Sequence, residues 1–158
     1  RQPDLEQRVR EALRRHRVPA RMLLMEITES VAMEDIEASL RVFDMLDQIG
    51  VRLSIDDFGT GYSSLSYLKK FPIDVIKIDR SFIKDIPENE DDMEITSAVI
   101  AMAHNLKLKV VAEGIETAAQ LGFLRRQQCD VGQGYLFDRP IPGRDLVGSL
   151  RRYPCRGV

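Results

Sequence analysis

The sequence predicts an α/β fold built on a parallel sheet, and three observations carry that reading. Short apolar runs alternate with amphipathic stretches of helical period. Five such runs recur at intervals of roughly 30 residues. Each run ends in polar residues that its own apolar pattern does not predict.

Leu5–His16 has helical spacing and precedes the first run, Met22–Thr28. In Glu34–Gln48, residues Ile36, Leu40, Phe43 and Leu46 fall on one side, and Gly50 is a suitable C-terminal stop. Val51–Asp56 is the second run, followed by a shorter helix, Ser64–Lys70, closed by Pro72. The third run, Val75–Asp79, leads into Met93–Leu106, striped by Ile95, Val99, Met102 and Leu106. Leu108–Glu113 precedes the helical pattern Thr117–Arg126, and Val131–Phe137 precedes Arg144–Tyr153. Each stripe is read as a face that packs on a core. Repeated strand and helix make neighbouring strands parallel, because the crossovers require it. Roughly 250 residues divided among eight units gives a closed barrel of this spacing. Five units leave two options: an open five-stranded sheet, or a barrel of which three units are missing.

Composition narrows the class. Net charge is −2 with signs mixed along the chain, so no basic field argues for a nucleic-acid polymer or an anionic membrane. No apolar run approaches the roughly 20 residues that span a bilayer. No signal-peptide pattern opens the chain. Cys129 and Cys155 lack metal-ligand spacing and read as free thiols of a reducing compartment. His16 and His104 stand alone in helical patterns, where packing or surface roles are expected. The expected location is the cytoplasm, or the cytoplasmic part of a larger protein. The start at Arg1, without methionine, suggests a missing upstream segment.

The chemistry gathers at the ends of the runs, where parallel α/β folds place their sites. The first ends in Glu26-Ile27-Thr28-Glu29, the second in Asp56-Asp57-Phe58-Gly59-Thr60-Gly61. The third gives Lys77-Ile78-Asp79, the fourth Glu113-Gly114-Ile115-Glu116, the fifth Gly132-Gln133-Gly134. One acid after a strand is ordinarily a helix cap. Four acidic ends in succession would repel one another unless cations or substrate groups compensate them. Carboxylates with one lysine suit hard, oxygen-preferring ions such as Mg²⁺ or Mn²⁺. On a regular strand Asp56 and Asp57 would face opposite ways; where the strand bends into a glycine-rich turn, both reach the mouth. One of them can then bridge two ions, an arrangement used for phosphoryl displacement.

The strings MEITES, IDDFGTGYSSLSYLKKFPIDVIKIDRSFI, VVAEGIET and QGYLFDRPIP, in this order, closely resemble the EAL family of cyclic-di-GMP phosphodiesterases. The likeness runs from about Leu5 to Tyr153, leaving 154–158 as a tail. It implies a TIM-like (β/α) barrel, truncated at its N-terminus, with about five βα units present. The implied reaction is hydrolysis of cyclic-di-GMP to linear pGpG, with two Mg²⁺ or Mn²⁺ ions assisting in-line attack by water. By motif, Glu26, Asp56, Asp57 and Glu113 resemble the metal-binding carboxylates. Lys77 and Gln133, with Glu113, resemble catalytic positions. Glu29 resembles the brace of the loop carrying Gly59, Thr60 and Gly61, and Asp79 and Glu116 resemble substrate-side positions. The resemblance also implies a homodimer and a parent with upstream sensory or GGDEF domains.

The Glu-Ala-Leu segment that names the family, and its asparagine ligand, would lie upstream of Arg1. An open barrel exposes two sheet edges, so this piece is expected to be poorly stable, oligomeric or rearranged, and at best weakly active. The rival reading is a domain that binds cyclic-di-GMP without cleaving it. A receiver-like phosphoacceptor domain fails on order, because its lysine should end the last strand rather than the third.

Overall fold

A computed structural model describes residues 4–61 and 65–152; Cys155 and the tail 154–158 lie outside the described residues. Five strands form one sheet: β1 (Leu24–Thr28), β2 (Arg52–Phe58), β3 (Val75–Ile78), β4 (Lys109–Ala112) and β5 (Val131–Gly132). They are parallel and lie side by side in chain order, with β1 and β5 at the edges. Between and around them run α1 (Leu5–His16), α2 (Glu29–Glu34), α3 (Ile36–Ile49), α4 (Leu65–Leu68), α5 (Glu90–Asn105), α6 (Ala118–Arg126) and α7 (Gly143–Arg152).

Register assigns the two faces of the sheet. Ile27 pairs with Ile55, Ile55 with Ile76, and Ile76 with Val110, so these side chains share a face. That face is the core: Ile55, Ile76, Ile78, Val110 and Ala112 are fully buried, along with Phe43, Ile100, Ala103 and Leu124 of the helices. β3 is buried along its whole length, as expected where both faces of a parallel strand are covered. The opposite face holds Glu26, Ser54, Asp56, Val75, Lys77 and Val111, so the polar strand ends converge on the side away from the helices.

The helix expected over Glu34–Gln48 is α3, and a short helix that the sequence reading did not place, α2, precedes it. Asp35 leaves the helical region (φ −143°, ψ 89°) and accepts a bond from Ala38 N, capping α3 after α2 has ended. α5 begins at Glu90 rather than Met93, because Asn89 accepts from Asp91 N and Asp92 N and three acids occupy its first turn. β5 is shorter than the run Val131–Phe137. After Gly132 the backbone turns, with Ile115 N donating to Gln133 O and Leu136 N to Ile115 O.

Side chains tie the lower ends of the strands. Asp74 accepts from Leu53 N at 2.8 Å. Asp130 accepts from Val110 N at 3.0 Å and also holds Lys109 and His104, so His104 has a packing role with a partner. Burial alone would raise the Asp130 carboxyl; the bonds from Lys109, His104 and Val110 outweigh it and hold the group below its ordinary value.

Candidate active site

The site is built around Lys77, a 5% exposed lysine on β3. Its ammonium lies 2.7 Å from Glu113 Oε1, 2.9 Å from Glu26 Oε2 and 3.1 Å from Asp56 Oδ1. Those carboxylates come from just past β4, from the middle of β1 and from the later half of β2, so one cation on β3 gathers the other three strands. Burial by itself would lower the ammonium, but the bonds to Glu113, Glu26 and Asp56 prevail and raise it above its ordinary value. Lys77 is therefore charged throughout the neutral range.

Asp57 reaches the same mouth through a β-bulge. Ile55 pairs with Ile76 and Phe58 with Ile78, so β2 takes three steps where β3 takes two. The surplus is absorbed at Asp57, which adopts the left-handed region (φ 55°) and donates its N–H to Asp56 Oδ1 at 3.1 Å. Carboxylate oxygens of Asp56, Asp57 and Glu113 then lie within 4.8 Å of one another. Burial, then the charges of Asp56 and Asp79, push the Asp57 carboxyl above its usual range, against the pull of Lys77. Such a set, all oxygen and short of positive charge, fits a hard divalent cation. Glu26 is not in that triad; its carboxylate is on Lys77 and is 43% exposed.

The loop after β2 is held from below. Glu29, 1% exposed at the start of α2, accepts from Gly59 N at 2.8 Å. Gly59 has φ +98°, and a Cβ there would lie 2.9 Å from Phe82 Cε2. Gly61 is required for closeness rather than for a left-handed turn, since its Cβ would meet Glu29 Oε1 at 2.9 Å. Thr60 closes the turn, its hydroxyl donating to Asp57 O at 2.8 Å.

The remaining expected positions stand around this centre. Asp79 caps the short turn Arg80–Phe82, accepting from Ser81 N at 2.9 Å. Burial would raise the Asp79 carboxyl, yet the bonds from Ser81 and Arg80 hold it below its ordinary value. Gln133 is exposed and lines, with Glu113, a cavity of about 710 Å³ running toward α7. Glu116 also lines it, with its carboxylate bonded to Arg80 rather than bare. Sequence reasoning passed over Arg80, Tyr135 and Arg139. Tyr135 and Arg139 stack, with the guanidinium carbon 4.4 Å from the ring centroid. Their signal was present, in a basic residue directly after Asp79 and in the polar string that follows Gln133.

The family model for the EAL domain matches residues 1–140. The cyclic di-GMP phosphodiesterase NbdA of Pseudomonas aeruginosa is 53% identical over 145 residues, covering 92% of this chain and 18% of NbdA. A solved structure of the PaMucR phosphodiesterase with c-di-GMP superposes with a TM-score of 0.88 at 49% identity, over 91% of this chain and 58% of that one. A manganese/cy-diGMP complex of Klebsiella pneumoniae BlrP1 gives 0.82 at 33% identity, over 88% of this chain and 36% of that one. The chain spans about a fifth of the length of the curated relatives it matches. The neighbouring EAL domains are TIM-like barrels, and the five parallel βα units described above superpose on them. On sequence and on structure alike, the chain belongs to the EAL domain family.

Proposed function

We propose that this chain carries a phosphodiesterase centre that hydrolyses one phosphodiester bond of cyclic-di-GMP to give linear pGpG. The observation that supports it most is the gathering of Glu26, Asp56 and Glu113 on one buried lysine, with Asp57 turned in beside them. The kinship to NbdA and to the c-di-GMP complex of PaMucR supports cyclic-di-GMP as the substrate.

Asp56, Asp57 and Glu113 would hold Mg²⁺ or Mn²⁺. Such ions lower the pKa of water and neutralise charge on phosphoryl oxygens. Lys77 fixes three of the carboxylates and adds positive charge where the transition state needs it. Lys77 Nζ donates to Glu113 Oε1 at 2.7 Å, which holds that carboxylate in the mouth where the attacking water would lie. Glu29 keeps Asp57 in position by holding the next loop residues. Gln133, on the cavity wall beside Glu113, orients water or substrate.

A homodimer, a parent with sensory or GGDEF domains and a cytoplasmic location belong to the same reading. The bifunctional diguanylate cyclase/phosphodiesterase MucR, several times longer than this chain, supports the second. Among the described residues no helix is long and apolar enough to cross a membrane.

The test is incubation with cyclic-di-GMP and Mg²⁺, with pGpG followed by chromatography and Glu113→Gln run beside the parent. Product from the parent alone supports the reading. Tight binding without product would make the chain a receptor for the dinucleotide.

A further inference from the structure

Arg80 stands at the end of β3, beside the cavity, and the mechanism above gives it no role. Its Nη2 donates to Glu116 Oε1 at 2.8 Å, joining the segment after β3 to the segment after β4. The stem of Arg80 crosses directly over Gly114, where a Cβ would lie 2.3 Å from Arg80 Cγ and 2.8 Å from Arg80 Cβ. Gly114 has φ +72°, so backbone and close approach both call for glycine under this arginine. The Glu116 end is anchored as firmly. Glu116 N donates to Gln120 Oε1 at 2.7 Å, and buried Gln120 in turn donates to Lys84 O at 3.1 Å.

Arg80 is thus seated from two sides yet 60% exposed, and among the described residues Glu116 is its ionic partner. That pair uses a small part of a guanidinium's five donors. An exposed ion pair contributes little to stability, so stability does not account for the seating.

We propose that Arg80 is a substrate-positioning residue whose unpaired guanidinium donors hold the phosphodiester of cyclic-di-GMP that is not cut, and that Glu116 acts through Arg80 rather than on the substrate. The proposal rests on the phosphodiesterase reading. One cavity wall carries Glu113, Arg80 and Gln133, so a ligand reacting at Glu113 extends past Arg80. A cyclic dinucleotide has two phosphodiesters, and only one can lie at Lys77. The second would otherwise face Glu116 and Asp138 on the same wall, and needs a cation there. The arginine fork matches a pair of phosphate oxygens. Arg139 also lines the cavity, but its guanidinium is stacked on Tyr135.

The experiment is titration calorimetry of the chain with cyclic-di-GMP in Ca²⁺, on the parent, Arg80→Gln, Glu116→Gln and the double variant. Kinetics in Mg²⁺ and melting temperatures accompany it. Arg80→Gln keeps the stem over Gly114 and removes the charge. It is expected to raise Kd about tenfold or more, with the kinetic loss in KM rather than kcat. Glu116→Gln should weaken binding less, and should add nothing in the Arg80→Gln background. Unchanged Kd in Arg80→Gln, or additive losses in the double variant, would overturn the assignment. A parent that binds but makes no pGpG overturns the hydrolytic reading alone, with Arg80 still decided by Kd. A parent that does not bind overturns both.

Discussion

Lys77 Nζ and Glu113 Oε1 stand 2.7 Å apart, the shortest of the three contacts that the ammonium makes with carboxylates. The pair bridges the ends of β3 and β4, whose backbones are already in register at Ile78 and Ala112. Removing the cation leaves three carboxylates facing one another. Lys77→Met is expected to destabilise the chain by about 2–3 kcal/mol, below the usual figure for breaking a buried pair because Glu26 reaches solvent. Mg²⁺ should recover more melting temperature in this variant than in the parent, which thermal denaturation with and without the ion would show. Equal shifts would mean that the carboxylates do not depend on Lys77.

Cation binding should follow the ionisation of Asp57. Its carboxyl is raised, first by burial and then by Asp56 and Asp79, so protons compete with the cation above the ordinary carboxylate range. Mn²⁺ affinity, read by electron paramagnetic resonance, should climb as pH rises through that raised value and then level off. Asp57→Asn should remove this part of the pH dependence and weaken Mn²⁺ binding, having lost a charged oxygen ligand.

Glu29→Ala should loosen the loop after β2. The substitution leaves Gly59 N–H without its acceptor and opens a void beneath Gly61, at a cost of about 1–3 kcal/mol. Hydrogen exchange at 57–61 should rise well above that of the parent, and cation affinity should fall although no ligand has been changed. Glu29→Gln keeps an acceptor for Gly59 N and should recover most of both. Equal exchange in parent and Glu29→Ala would show that the loop is held by other contacts.

Asp130 gives the stability a pH dependence of known sign. Its folded-state value is depressed, so its contribution is present above the ordinary carboxylate value and is lost as pH falls through the lower, folded one. Melting temperature measured from neutral pH downward should fall more steeply for the parent than for Asp130→Asn. At neutral pH the variant should be less stable by about 1–2 kcal/mol, having kept an acceptor for Val110 N but lost the charge that Lys109 and His104 share. Parallel curves would remove Asp130 from the account.

Much of this was legible before any coordinates. Apolar runs marked the strands because both faces of β2, β3 and β4 are largely covered, and the acids at their ends were out of place in such runs. The short helix α2 escaped because its six residues are too few to show a stripe, while Ile36, Leu40, Phe43 and Leu46 mark only α3, which begins at the Asp35 cap on Ala38 N. The late end assigned to β5 had a similar cause, as Tyr135, Leu136 and Phe137 are apolar enough for a strand but follow a turn. At the centre, residue types pointed to the carboxylates, while the partners of Lys77 and the coupling of Arg80 to Glu116 are three-dimensional facts. No local pattern encodes a bond between residues 36 positions apart.

The bulge at Asp57 makes the charge of this mouth a question of parity. Without the left-handed turn at Asp57, regular alternation would point that aspartate into the helix layer, among Ile76 and Val110, where a carboxylate is costly. Deleting one residue from 56–57 would leave a single residue opposite Lys77 and a regular ladder on to Phe58 and Ile78, with one aspartate at the mouth in place of two. Two chains with identical acidic content can therefore differ wholly in how many negative charges they offer a cation. When relatives are compared for this chemistry, the number of residues between the paired isoleucine and phenylalanine is the quantity to count.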